Sequence, residues 1–246
     1  MIVCIFFVIH WYVSFFLQSF FHHRYAAHRH FLMSRTWERF FYILCFMVHG
    51  SSYISPYAYG IMHRLHHIHT DEEGDPHSPI KTPGFWATMW QTRNSYYNIF
   101  IGKTVVDDRL KKDLPEWRSF EKIAHNPLSR SFWIIIYTLF YIAFATAWWQ
   151  FLLLPITMIL ATFQGTVINW WAHKYGYVNY PMHNDSKNIL PFDLIFLGDA
   201  YHNNHHKYPG RTKNSQRWFE IDPTYYTICF LQKIKVVKWK TKNILL

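Results

Sequence analysis

Charge is scarce in this 246-residue chain: only 16% of residues are Asp, Glu, Lys or Arg. Acidic side chains are scarcer than basic ones, 15 against 25, which leaves a formal net charge of +10 with histidine neutral. There are three cysteines, Cys4, Cys45 and Cys229, widely spaced in apolar surroundings and with no CxxC pair. That excludes a disulfide framework, and reads as core or lipid-facing thiols. No regular internal repeat and no low-complexity linker divides the chain, which suits one domain over residues 1–246. Apolar residues make up 50% and aromatics 21%, yet the mean hydropathy is near neutral. Apolar blocks must therefore alternate with polar ones. A basic surface suits nucleic acid, anionic lipid or an acidic ligand; the apolar blocks favour the last two and no nucleic-acid partner is expected.

Residues 1–21 contain no charged side chain and are long enough to cross a bilayer. With no basic leader before a short apolar run, they read as a retained transmembrane helix rather than a signal peptide. His10 and Gln18 within it are expected to be buried and hydrogen-bonded. Residues 131–149 and 151–172 form two further spans, with Pro155 tolerated near the start of the second. Residues 40–59 are weaker, because Gly50, Ser51, Ser52, Ser55 and Pro56 interrupt them; Pro56 should kink or end a helix. Residues 84–101 are rich in Trp and Tyr, as at a membrane–water boundary. Residues 103–122 look solvated, and the lysines at 233, 235, 238, 240 and 242 look like a solvated tail.

Histidine is what the chain has in excess, with 17 residues. His63-Arg64-Leu65-His66-His67 and His202-Asn203-Asn204-His205-His206 repeat one HxxHH pattern. On a helix the first and last two imidazoles share a face within a turn. His23 and His28 are five apart, about 140° around a continuous α-helix, so they share a ligand face only if the helix ends between them. Asn169 and His173 are four apart and share a face. Adjacent histidines splay by about 100°, which suits two neighbouring metals better than one. These nine histidines exceed one ion's coordination number, so a two-metal site with four or five nitrogens on each ion is expected. Nitrogen ligation alone leaves Zn, Cu, Fe and Ni open. His10 and His49 read as packed or hydrogen-bonded, and His22, His30, His69, His125 and His183 as solvent-facing or supporting groups. Asp75 and His77 are candidates to support a ligand.

If every cluster serves one site, all lie on one side of the membrane. The first span delivers His23 there and the 131–172 hairpin returns there, so residues 40–59 must be re-entrant or interfacial. Lys and Arg are dense on that side and absent near residue 150, which makes it cytoplasmic and the N-terminus external.

The order His23-Arg24-x-x-x-His28, His63-Arg64-x-His66-His67, Asn169-x-x-x-His173, His202-Asn203-x-His205-His206 resembles the membrane fatty-acyl desaturases of the stearoyl-CoA type. Asp75-Pro76-His77 and His206-Lys207-Tyr208-Pro209 extend the similarity, which runs from about residue 11 to about residue 226. The resemblance implies an all-α integral membrane fold, a helical stalk beneath a cytosolic helical cap. It implies two irons held by His23, His28, His63, His66, His67, His173, His202, His205 and His206, with Asn169 acting through a water. It implies O₂-dependent insertion of a cis double bond into a saturated acyl chain, by default at the ninth carbon, in a bacterial inner membrane. The acyl chain would ride on coenzyme A, acyl carrier protein or a lipid. Tyr57, Tyr59, Trp90 and Trp170 are candidate tunnel liners, and Lys81, Arg93 and Lys103 candidate contacts to an anionic carrier. Family members usually carry two spans before the first histidine box, where this chain has room for one. No cytochrome b5 domain is visible, so electrons are expected from a separate ferredoxin, rubredoxin or cytochrome b5. The rival outcome is a hydroxylase or monooxygenase of the same metal chemistry. A metal transporter would need ionisable groups within the spans, which 131–149 and 151–168 lack. A zinc hydrolase has no need of nine ligands.

Overall fold

Eleven α-helices lie among the described residues, 1–80 and 82–240, of the computed structural model. Lys81 and Lys242 lie outside them. The first helix, α1 (Ile2–Leu17), runs on without a break into a π-helical section, Gln18–Ala27. The apolar helix is thus 26 residues long, further than the expected 1–21. His10 and Gln18 are buried in it: His10 Nε2 meets the Val48 carbonyl at 2.6 Å, and the Gln18 amide donates to Gln164 Oε1 at 2.7 Å. After the short strand β1 (Phe31–Met33), α2 (Arg35–His49) starts on a Ser34 cap that accepts from the Trp37 N–H.

The 40–59 segment is two helices rather than one weak one. Gly50, at φ +52°, turns the chain, and a Cβ there would fall 2.2 Å from Tyr137 Oη, so only glycine fits. A 3₁₀ turn (Gly50–Ser52) follows, then α3 (Pro56–His69). Pro56 therefore opens a helix instead of ending one: at the first helical position its missing N–H is no loss. Ser55 caps α3, accepting from Ala58 N–H while its hydroxyl donates to Glu121 Oε1 at 2.5 Å. Glu121 is only 4% exposed, so residues 103–122 are not solvated throughout; burial pushes its carboxyl up to about 7.

Helices α4 (Phe85–Phe100), α5 (Asp108–Lys111) and α6 (Arg118–Ala124) lead to α7 (Pro127–Phe144), the second helix long and apolar enough to span a bilayer. The expected span over 151–172 is broken. A 3₁₀ turn and α8 (Leu153–Met158) meet α9 (Leu160–Ala172) at a 77° bend. The Gly50–Ser52 turn fits into the break and satisfies both ends: Ser51 Oγ donates to the Met158 carbonyl at 2.6 Å, and Ser52 Oγ accepts from Ala161 N–H at 3.1 Å. These are the backbone groups a helix end leaves orphaned. Helices α10 (His202–Lys207) and α11 (Pro223–Lys233) complete the set. The lysine-rich tail is not wholly free. Its strand β2 (Val237–Trp239) pairs antiparallel with β1, Phe31 opposite Trp239, with Val236 and Val237 buried.

Aromatic packing fixes the base of the site. Phe20, Phe21, Tyr25, Phe31, Phe41 and Tyr42 are buried together, with Phe21 stacked on Tyr25 at 5.3 Å. This anchors the π-helical section against α2 and places His23 on its opposite side.

Candidate metal centre

Nine histidines from four places in the chain turn their Nε2 atoms inward and sort into two groups. In the first, Nε2 of His63 lies 2.9 Å from that of His28 and 3.0 Å from that of His67. His67 lies 2.9 Å from His205, and His205 3.1 Å from His23. In the second, His202 lies 3.0 Å from both His173 and His206, and His206 lies 3.2 Å from His66. Each adjacent pair divides: His66 and His206 face one group, His67 and His205 the other.

The π-helix explains how His23 and His28 meet. The π-helical section runs to Ala27, and His28 caps it. Its i→i+5 bonding, with His28 N–H donating to the His23 carbonyl at 3.1 Å, winds more than four residues into each turn. Five residues then make little more than one turn, and the two imidazoles come within 4.9 Å, ring to ring. A regular α-helix would have separated them.

Carboxylates hold several rings from behind. His66 Nδ1–H donates to Asp75 Oδ2 at 2.8 Å, and His173 Nδ1–H to Asp71 Oδ2 at 2.9 Å. His23 Nδ1 lies 3.4 Å from Asp199 Oδ2, a looser contact. With the proton fixed on Nδ1, each of these rings presents a bare lone pair at Nε2. Burial raises the carboxyls of Asp71 and Asp199, but hydrogen bonds and ion pairs more than offset it and both lie below their ordinary value. Asp71 is held by His173 and Ser78, Asp199 by His23 and Arg24. Arg24 is itself fully buried and spans Asp199 and Asp222, donating to Asp222 Oδ1 at 3.0 Å.

Burial, then the neighbouring imidazoles, hold His63, His66, His202, His205 and His206 well below the ordinary histidine value, and His67 at about 3. Neutral rings with converging lone pairs repel one another unless a cation lies between them. An ion about 2.1 Å from each nitrogen, with neighbouring ligands at right angles, sets nitrogen–nitrogen edges of about 3.0 Å. The observed edges of 2.9–3.2 Å match this, so the donor set fits two metal ions, one with five nitrogens and one with four.

Asn169 sits one helical turn before His173 with its amide N–H donating to the Gly165 carbonyl at 2.9 Å. His77 is buried with neither ring nitrogen hydrogen-bonded; its ring lies 4.3 Å from that of His66, and its backbone N–H donates to Asp75 Oδ1. It therefore touches the site through packing on His66 and through Asp75. His30 stacks on His28 at 5.1 Å while its Nε2 meets the Pro209 carbonyl. Tyr59 stacks on His63 at 5.6 Å. Trp170 lines an apolar cleft of about 530 Å³ with Trp11, Phe85, Phe163 and Phe196. Tyr57 lines a second cavity of about 550 Å³ with Lys111, Arg118 and Lys122. Trp90 is 64% exposed and lines neither; Arg93 lies over its ring, and Lys103 is exposed. Asp71 and Asp199 were not among the expected site residues. Asp71 sits in the acidic loop run Asp71-Glu72-Glu73, which carries no periodicity, and Asp199 precedes His202 by three residues, the one local signal available.

Residues 1–225 match the family model for fatty acid desaturases. The chain belongs to the fatty acid desaturase family. It is 29% identical over 224 residues to the sn-1 stearoyl-lipid 9-desaturase of Synechocystis sp., covering 88% of this chain and 64% of that protein. To the sn-1 stearoyl-lipid 9-desaturase of Anabaena variabilis it is 28% identical over 216 residues, 85% of this chain and 73% of the other. To the Delta-9 acyl-lipid desaturase 1 of Arabidopsis thaliana it is 26% identical over 215 residues, 87% and 67%. The chain thus spans about two thirds of the length of the curated relatives it matches. Its apolar helices suit association with a membrane, as expected of a desaturase-family chain whose relatives act on lipids.

Proposed function

We propose that this chain is an O₂-dependent acyl desaturase that inserts a cis double bond into a saturated acyl chain, by default at the ninth carbon. The observation that carries the reading is the pair of converging imidazole groups, in a chain whose relatives are named 9-desaturases. Those names also favour desaturation over hydroxylation and an acyl group carried on a lipid over one on coenzyme A.

His23, His28, His63, His67 and His205 would hold one iron, and His66, His173, His202 and His206 the other, with Asn169 reaching the second through a water. Two irons supply the redox chemistry that removes hydrogen from an unactivated C–H bond with O₂ and two electrons. The protein's own residues do the rest. Asp75, Asp71 and Asp199 fix the tautomers that aim lone pairs inward. Burial keeps His28, His63, His66, His67, His202, His205 and His206 unprotonated. The apolar cleft beside Trp170 and Phe163 excludes water and accepts a hydrocarbon chain. Tyr59 stays a candidate contact to the substrate, as do Arg93, Trp90 and, from sequence alone, Lys81 for the carrier.

In this reading the apolar part of the first helix, residues 2–21, together with Pro127–Phe144 and the bent pair Trp148–Ala172 lie in the bilayer, with the histidines of the metal site on its cytoplasmic side. α2 and the Gly50–Ser52 turn dip in and return. Electrons come from a separate ferredoxin, rubredoxin or cytochrome b5. The test is metal analysis of the purified protein with lipid profiling of expressing cells. Two irons per chain and new monounsaturated acyl chains are the expected result; zinc with unchanged lipids overturns it. Reactivity of a cysteine placed near residue 150 from the cytoplasmic side would overturn the topology.

A further inference from the structure

Beside the five-histidine group lies a second cluster that the desaturase reading leaves unused. His22, Cys45 and His49 are all fully buried, and one ligand atom from each lies within 4.8 Å of the others. His22 comes from the π-helical section, Cys45 and His49 from the end of α2. Each ring is held by backbone. His22 Nε2 meets the Ile54 carbonyl at 2.9 Å, and His49 Nε2 meets the Ser14 carbonyl at 3.3 Å. A neutral imidazole that donates from one nitrogen keeps a lone pair on the other. On His49 that atom, Nδ1, is buried with no hydrogen-bond partner. On His22 it has only a marginal 3.5 Å contact with the Leu17 carbonyl. The rings lie 5.3 Å apart, centroid to centroid. An orphaned buried nitrogen is a cost the fold would not ordinarily retain.

We propose that His22, Cys45 and His49 form a third metal site, separate from the two histidine groups, that takes one Cu(I) ion. Two imidazoles and one thiolate form a soft, three-coordinate donor set, the chemistry that selects Cu(I). Charge decides between Cu(I) and a divalent ion. One thiolate neutralises a monovalent cation, so the complex carries no net charge into a wholly buried place. Zn(II) would leave a positive charge there and seek a fourth donor. Binding exchanges one proton for one cation: the Cys45 S–H bond breaks, a sulfur–copper bond forms, and the proton leaves to solvent. No electron is transferred. The bound ion ties the π-helical section to α2. It also lies next to the five-histidine group through Tyr59, whose ring sits edge-on to His22 at 5.5 Å and stacks on His63.

The experiment uses iron-loaded full-length protein in detergent, with Cys4→Ser and Cys229→Ser so that Cys45 is the sole thiol. Under ascorbate it is titrated with Cu(I) from a bicinchoninate buffer and examined by X-ray absorption at the copper edge. One copper per chain with one sulfur and two nitrogen neighbours is expected, retained against an equal free concentration of Zn(II). Adding Cys45→Ser should weaken copper retention at least a hundredfold, whereas His66→Ala should leave the sulfur-bound copper in place. Copper with nitrogen neighbours only, displacement by Zn(II), or loss of the sulfur signal in His66→Ala overturns the proposal. The absorption spectrum of the Cys45-containing protein decides the matter even if the Cys45→Ser variant fails to fold.

Discussion

The two histidine groups are assembled by different means. The four-nitrogen group is held by charge: Asp75 and Asp71 grip His66 and His173 at 2.8 and 2.9 Å. The five-nitrogen group has one loose carboxylate, Asp199 at 3.4 Å from His23, and depends on backbone winding to bring His23 and His28 together. One group is therefore poor in ligands but firmly oriented. The other is rich in ligands but rests on a helix wound out of its ordinary geometry, and has a nitrogen to spare.

Removing one ligand from each group tests this most severely. His66→Ala leaves three nitrogens in its group and should abolish desaturation and halve the metal content while the protein still inserts in membranes. His28→Ala leaves four nitrogens in its group and should retain both ions with reduced activity. Metal per chain and unsaturated lipid in expressing cells are the readouts. Equal loss of both ions in the two variants would break the distinction, and retained desaturation in His66→Ala would remove His66 from the ligand set.

The orienting carboxylates come next. Asparagine in place of Asp75 keeps the shape and removes the charge behind His66, with an expected 10–100-fold loss of metal affinity. Asp199→Asn should cost about tenfold or less, because its contact is longer and its charge is shared with Arg24. Competition with a chelator measures both. A larger effect at Asp199 would reverse the ordering.

Much of this centre was legible in the sequence because it lies in local spacing. The HxxHH repeats, and the splay of adjacent histidines, follow from helical geometry alone. The His23–His28 pair was not legible, because an α-helical count puts five residues on different faces and nothing in QSFFHHRYAA announces π-helical winding. Asp71 and Asp199 escaped for another reason: they lie in loops, where side-chain direction has no period. The bend at Ile159 was hidden too. Pro155 is tolerated where it stands, and the groups that stabilise the break, Ser51 and Ser52, are over a hundred residues away in the chain.

Protonation sharpens the comparison at the margin of each group. Burial depresses His77, packed on His66, to about 4 and His30, stacked on His28, to about 3. In the unfolded chain both titrate near 6.5. Below that pH the unfolded state binds more protons than the native state, so stability falls as pH falls. The loss runs at about 1.4 kcal/mol per unit for each group, ending near pH 4 for His77 and near pH 3 for His30. Metal-free protein should therefore show a thermal midpoint that drops steadily from pH 7 to pH 5, and His30→Gln should flatten that slope. An unchanged slope would mean that His30 is protonated in the native state.

The smallest effect is expected away from both groups, at the break between α8 and α9. Ser52 Oγ accepts from Ala161 N–H at the start of the helix that ends at His173. Ser52→Ala removes that acceptor, which acts as a helix cap supplied from elsewhere in the chain, and should cost about 1 kcal/mol. For a chain of this size that is a fall of roughly 2–4 °C in the thermal midpoint. Metal affinity should not change, since Asp71 and not the start of α9 fixes the His173 ring. A loss of metal from the four-nitrogen group alone would show that the 77° bend sets the position of His173, and that this group too depends on backbone geometry.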